Sequence, residues 1–172
     1  MTEKRILVTG ATGMMGRAVA RRLASTHHVF GVARFGDVAV RRSLEDAGVE
    51  CIPFDLCVDD LSALPGGIQV LMHFAVSWNC TPEAFAPALA FNGFLIGRML
   101  DRWPDLEQFV LGSTVAVYTG AGRYDLTEDQ PTCMVKKLRR GQKRRDSGTT
   151  RRFRSLVSAD LLTSVSLQLS GK

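Results

Sequence analysis

Residues 7–16 read Leu-Val-Thr-Gly-Ala-Thr-Gly-Met-Met-Gly, an apolar strand running into Gly10, Gly13 and Gly16. Glycines at this spacing suit one kind of chemistry, the binding of phosphate. The first lets the chain turn sharply, the second lets a pyrophosphate approach the backbone, and the third lets the next helix pack on the strand. The helix N-terminus adds free N–H groups and the positive end of its dipole. An ordinary glycine-rich turn would not need a strand before it and a helix after it, and this one has both. Thr12, Met14 and Met15 lie inside the turn. The methionines either fill core space or bring their backbone amides to the phosphates.

The elements that must position this turn follow a regular grammar. Residues 4–9 are a short buried strand, and a helix with Val19, Ala20, Leu23 and Ala24 on its apolar face is expected from Arg17 to about Thr26. Strands are expected at 29–33, 50–54, 68–75 and 109–112. The fourth is apolar nearly throughout, as a strand covered on both faces should be. Val38–Ala47 reads as an amphipathic helix closed by Gly48. Thr81 and Pro82 read as the cap and first position of a helix running to about Arg102, before Pro104. Strands alternating with helices imply an α/β fold with a doubly wound parallel sheet of the Rossmann type.

Composition divides the chain. Residues 1–135 carry 11 Lys and Arg against 15 Asp and Glu, whereas residues 136–172 carry 11 against 2. The grammar of strands and helices stops there too, although 156–169 has the makings of a weak helix or strand. We expect a nucleotide-binding domain over 1–132 and an irregular basic tail over 133–172. No apolar run is long enough to span a membrane, and the N-terminus lacks the shape of a signal peptide. The four cysteines have no metal-like spacing, and reduced thiols in a cytoplasmic protein are the expectation.

Further residues carry a resemblance. Asp55-Leu56 follows the third strand, His73-Phe74-Ala75-Val76 follows the fourth, and Asn92 lies in the helix before the fifth. Ser113-Thr114-Val115-Ala116-Val117-Tyr118 ends the fifth strand, and Glu128-Asp129-Gln130-Pro131 comes after it. With Thr9–Gly16 (a TGxxGxxG pattern), these landmarks resemble the extended short-chain dehydrogenase/reductase superfamily, of the NAD(P)-dependent epimerase/dehydratase type. The resemblance implies that Gly10, Thr12, Gly13, Met14, Met15, Gly16, Asp55, Leu56, Phe74, Ala75 and Asn92 line a nicotinamide cofactor, with Asp55 bonding the adenine. It implies that Thr114, or Ser113 if the register slips by one, bonds the substrate oxygen.

Each landmark has a plainer reading as well. Asp55 reads also as the cap of its own turn, Asn92 as a surface residue and Tyr118 as a packing residue. His73 reads as a packed, hydrogen-bonded histidine with no proton chemistry. At the end of the second strand the acidic position that would bond a ribose 2′-OH is Ala33, and Arg34 follows, which favours NADP. NAD stays open through Asp37.

One family element is missing. A Tyr-x-x-x-Lys pair, in which Lys lowers the Tyr pKa and Tyr moves the proton, should follow Thr114 by roughly two dozen residues. The chain has tyrosines only at 118 and 124, neither with Lys four residues on, and reads Lys137-Leu138-Arg139-Arg140 where the pair is due. A shifted reading frame is the expectation. Residues 136–146 can be back-translated so that the next frame encodes Tyr-Gly-Ala-Gly-Lys. A genuine basic tail and a divergent protein are the other two readings. The family activity implied is oxidoreduction, epimerisation or dehydration of a small substrate such as a nucleotide sugar, impaired in this chain. A non-enzymatic NADP-binding regulator is the alternative. Nucleic-acid binding through the basic tail is a second alternative, though nucleic acid is not the expected partner, since Phe153 alone interleaves the basic run. Homodimers are common in the intact family.

Overall fold

The computed structural model describes residues 2–77, 81, 83–113 and 167–168. Those up to Gly112, with 167–168, belong to one compact unit, and Ser113 belongs to another. The expected domain boundary near 132, Thr114, Tyr118 and the 128–131 element lie outside the described residues.

The sheet is built from β1 (Arg5–Thr9), β2 (His28–Ala33), β3 (Glu50–Pro53), β4 (Val70–His73) and β5 (Gln108–Leu111), in the order β3-β2-β1-β4-β5, all parallel. A two-residue strand, β6 (Leu167–Gln168), pairs antiparallel with β5 at the edge. Side chains alternate between faces, so a strand covered on both sides must be apolar at every position. On β1, Ile6 and Val8 join one core with Val29, Leu44 and Val70, while Leu7 joins the other with Phe30, Leu71, Met99 and Phe109.

The helices differ from expectation mostly at their starts. Helix α1 spans Met14–Leu23, beginning three residues before the expected Arg17. Gly13 is its N-cap, so Met14, Met15 and Gly16 form its first turn, which apolar periodicity alone does not mark. Helix α2 (Val38–Glu45) is capped by Asp37 and closed at Gly48, which has φ +87° and donates its N–H to Glu45 O at 2.9 Å. Between β3 and β4 only a 3₁₀ turn forms (Leu61–Ala63), because Pro65, Gly66 and Gly67 stop a longer helix. Leu61, Leu64 and Ile68 still cover the sheet there.

Thr81 Oγ1 accepts from Ala84 N–H at 3.3 Å, but helix α3 begins only at Phe85. It runs to Leu89 and passes through a π-helical turn (Ala90–Phe94) into α4 (Leu95–Arg102). The end at Arg102 is as expected. Among the described residues, no helix is long and apolar enough to cross a membrane, and no group of His, Cys, Asp and Glu is placed to hold a metal.

Candidate cofactor site

The strand order reverses at β1, whose neighbours are β2 on one side and β4 on the other. Two connections leave in opposite directions there, opening a crevice at the carboxyl ends of β1 and β4, where ligands bind in sheets of this kind. The glycine turn sits at that point. Gly10 has φ +67°, and a Cβ on it would lie 2.7 Å from Ala75 N. A Cβ on Gly16 would lie 2.3 Å from Gly10 O. Both contacts are to backbone, so neither can be relieved by a side chain moving aside. Gly13 donates its N–H to Gly10 O at 2.9 Å, and no side chain caps α1. The first amides of α1 are therefore available to an anion.

Met14 and Met15 are 83% and 56% exposed, so they do not fill the core. Thr12 is half-buried, and Phe74 and Ala75 are half-buried against Gly10. The structure thus gathers Gly10, Thr12, Gly13, Met14, Met15, Gly16, Phe74 and Ala75 at one crevice, and their fit to a pyrophosphate rests on backbone geometry.

Beneath the crevice is a buried polar pair. Thr9 Oγ1 lies 2.7 Å from His73 Nδ1, in register across β1 and β4. The Ala75 N–H donates to the same hydroxyl at 3.5 Å. His73 is 2% exposed, and burial lowers its pKa to about 4. It is neutral at physiological pH and ties two strand ends together, in keeping with a packed histidine. Its carbonyl accepts from Gly112 N–H at 2.8 Å, which fixes the end of β5 as well. Sequence reasoning missed Thr9. The signal was there, in the polar residue that closes the apolar run Ile6–Val8.

A second group lies along the rim at the ends of β2 and β3. Arg34 is exposed and makes no hydrogen bond or ion pair to another described residue. Asp37 Oδ1 accepts from Ala39 N–H at 2.9 Å and Val40 N–H at 3.2 Å, so this carboxylate caps α2. Asp55 Oδ1 accepts from Cys57 N–H at 2.9 Å, and its own N–H donates to Asp59 Oδ2 at 2.7 Å. Asp55 does cap its turn, and it stays half-exposed at the rim. The Leu56 side chain is in the core at 8% exposure, leaving its backbone for any contact outward. Partial burial, then the Asp55 carboxylate, raise the Cys57 thiol pKa, and Arg34 opposes the rise. The Cys57 thiol thus feels both the Asp55 carboxylate and the Arg34 guanidinium.

Asn92 is on the π-helical turn. Its Oδ1 accepts from Ser77 N–H at 2.9 Å and its Nδ2 donates to Ser77 O at 3.0 Å. Though exposed, it clamps the loop that follows β4. Ser113 is exposed.

The fold and turn together define a dinucleotide-binding α/β protein. The sequence profile of the NAD dependent epimerase/dehydratase family matches residues 6–139, and the chain belongs to that family. Among solved structures it is similar to UDP-glucuronic acid 4-epimerase from Bacillus cereus in complex with UDP-glucuronic acid and NAD. The two are 28% identical, with a TM-score of 0.62 over 74% of this chain and 45% of that one. A short-chain dehydrogenase/reductase superfamily protein from Agrobacterium tumefaciens with bound NAD is 26% identical, with a TM-score of 0.58 over 75% of this chain and 39% of that one. UDP-N-acetylglucosamine 4-epimerase from Methanobrevibacter ruminantium shares the fold at 18% identity, with a TM-score of 0.61 over 77% of this chain and 44% of that one. This chain thus spans less than half the length of each of these three. No curated protein matches it.

Proposed function

We propose that the chain is the cofactor-binding part of an oxidoreductase of the epimerase/dehydratase type, acting on a nucleotide-sugar-like substrate and preferring NADP to NAD. The observation that carries this reading is the uncapped N-terminus of α1, reached through glycines whose every added Cβ would strike backbone or crowd it. The amides of Met14, Met15 and Gly16 would hold the pyrophosphate, Asp55 and the Leu56 backbone the adenine, and Phe74 and Ala75 the inner wall. Arg34 would meet an adenosine 2′-phosphate as a charge-assisted donor. The nicotinamide, when bound, gives or takes a hydride. Thr114, with Ser113 as the alternative, would hydrogen-bond the substrate oxygen. The nucleotide-sugar class is supported by the UDP-glucuronic acid 4-epimerase above, at 28% identity.

Turnover needs a proton carrier, and the Tyr-x-x-x-Lys pair is not in the sequence. Loss of such a carrier commonly costs about 10²–10⁴-fold. The chain should therefore bind cofactor without appreciable turnover. Titration with NADPH and NADH, followed by fluorescence of the reduced nicotinamide, tests this. Saturable binding with NADPH preferred is expected. Absence of binding to either, by a folded protein, would overturn it.

A further inference from the structure

Phe35 is the one described non-glycine residue with positive φ, at +49°. A bulky side chain is strained in this left-handed region because Cβ crowds the carbonyl that follows. Such strain persists only where the surroundings over-determine it, and it concentrates at ligand clamps. Here the ring is 8% exposed, in the same core cluster as Ala11, Leu44 and Val49. The Arg41 guanidinium lies 5.9 Å from the ring centroid, and Glu45 holds that guanidinium at 2.7 Å.

The neighbours of Phe35 in the β2–α2 connection all face solvent. Arg34, Gly36 and Asp37 are exposed, and Phe35 alone points inward. Ala33 O accepts from Phe54 N–H at 2.9 Å, so the sheet side of the connection is fixed as well. Between these two anchors stands Arg34, exposed at the end of β2. The acidic side chain of the connection, Asp37, is engaged by α2. The charge left for a ligand at the end of β2 is the guanidinium of Arg34.

We infer that Phe35 is a positioning residue for cofactor choice: its ring, seated in the core on a left-handed backbone, holds the turn so that Arg34 serves a ribose bearing a 2′-phosphate. This rests on the NADP reading above. It goes further by assigning selectivity to a buried residue that touches no cofactor. The competing account is that Phe35 only adds to core packing. The two differ in what they do to the ratio of NADPH to NADH affinity, because packing alone would weaken both alike.

The test is a double-mutant cycle on the full 172-residue chain, measuring NADPH and NADH affinity by nicotinamide fluorescence. The variants are Arg34→Ala, Phe35→Gly and the pair together. Glycine accepts φ +49°, so the substitution removes the anchor without adding strain. A hydrogen-bonded charge pair corresponds to a preference of about tenfold or more. Phe35→Gly is expected to erase that preference while leaving NADH affinity unchanged, and to have no effect on the ratio once Arg34 is alanine. Equal loss of both affinities, or effects on the ratio that add, would overturn the inference. A wild-type chain without NADPH preference overturns the NADP reading and this inference together. Preference lost in Arg34→Ala but kept in Phe35→Gly overturns this inference alone. Should Phe35→Gly fail to fold, Phe35→Leu keeps an apolar anchor of smaller reach. It is expected to lose part of the preference, and an unchanged ratio would overturn the inference.

Discussion

The glycine turn at 10–16 and the rim at 34–37 and 55–57 stand at adjacent strand ends and are built on opposite principles. In the turn, backbone meets backbone. Gly10 abuts Ala75 N, Gly16 abuts Gly10 O, and what the site offers outward is amide N–H. At the rim, side chains do the work, and most of them already have partners inside the protein. Asp37 caps a helix, Asp55 caps a turn, and the Arg34 guanidinium makes no hydrogen bond or ion pair to a described residue. A site of backbone tolerates almost no substitution, whereas a site of side chains can be retuned one residue at a time. On the function proposed above, the shared phosphate site belongs to the first kind and the choice between cofactors to the second.

The contrast is broken most directly at Gly16. In Gly16→Ala the new Cβ would lie 2.3 Å from Gly10 O and 2.8 Å from Gly10 C. Neither atom can move without shifting β1 or α1. Overpacking of this kind costs about 3 kcal/mol. Urea denaturation should show that loss, together with loss of cofactor binding. Wild-type stability in this variant would mean that the turn is softer than its geometry implies, and the contrast would fail.

The second test lies under the turn. His73 is neutral when folded, with its pKa held to about 4 against an ordinary 6.5. Between those values the unfolded chain binds the extra proton, so stability rises with pH. The contribution is fully present above about pH 6.5 and is lost as pH falls toward 4. Unfolding free energy should drop on the order of 2 kcal/mol between about pH 7 and pH 5 from this group alone. The quantity to measure is the difference between the wild type and His73→Asn, which lacks the titration. Parallel pH profiles for the two would show that the Thr9–His73 pair does not set the stability of the strand ends.

Much of this was legible in the sequence, for reasons that follow the same contrast. The turn could be read because only glycine fits its backbone, so residue type and geometry are nearly one statement. The central strands β1, β2 and β4 could be read because burial on both faces demands continuous apolar runs. The start of α1 could not, since Met14 and Met15 are exposed and leave no mark in an apolar pattern. Nor could the left-handed backbone at Phe35, because nothing in Arg34-Phe35-Gly36 says which residue takes the positive φ, and glycine would be the ordinary choice. The clamp of Asn92 on Ser77 depends on a π-helical turn that no periodicity announces. Asp55 carried two readings, and the structure bears out the cap: its carboxylate accepts from Cys57 N–H and stays half-exposed.

The smallest expected effect is also the most discriminating. Asp37 was the residue through which NAD stayed possible, and in the structure its carboxylate oxygen accepts two amides of α2. Replacing an N-cap aspartate by alanine costs about 1 kcal/mol, while asparagine caps nearly as well. If Asp37 serves only the helix, Asp37→Ala should lower the unfolding midpoint, Asp37→Asn should restore it, and neither should change the ratio of NADPH to NADH affinity. If instead both variants lose NADH while keeping NADPH, the carboxylate was bonding a ribose hydroxyl as well as the helix. The rim would then hold one ligand residue for each cofactor, and selectivity would arise from the balance between Arg34 and Asp37 rather than from Arg34 alone. Asparagine separates the two roles because it keeps the cap while giving up the charge.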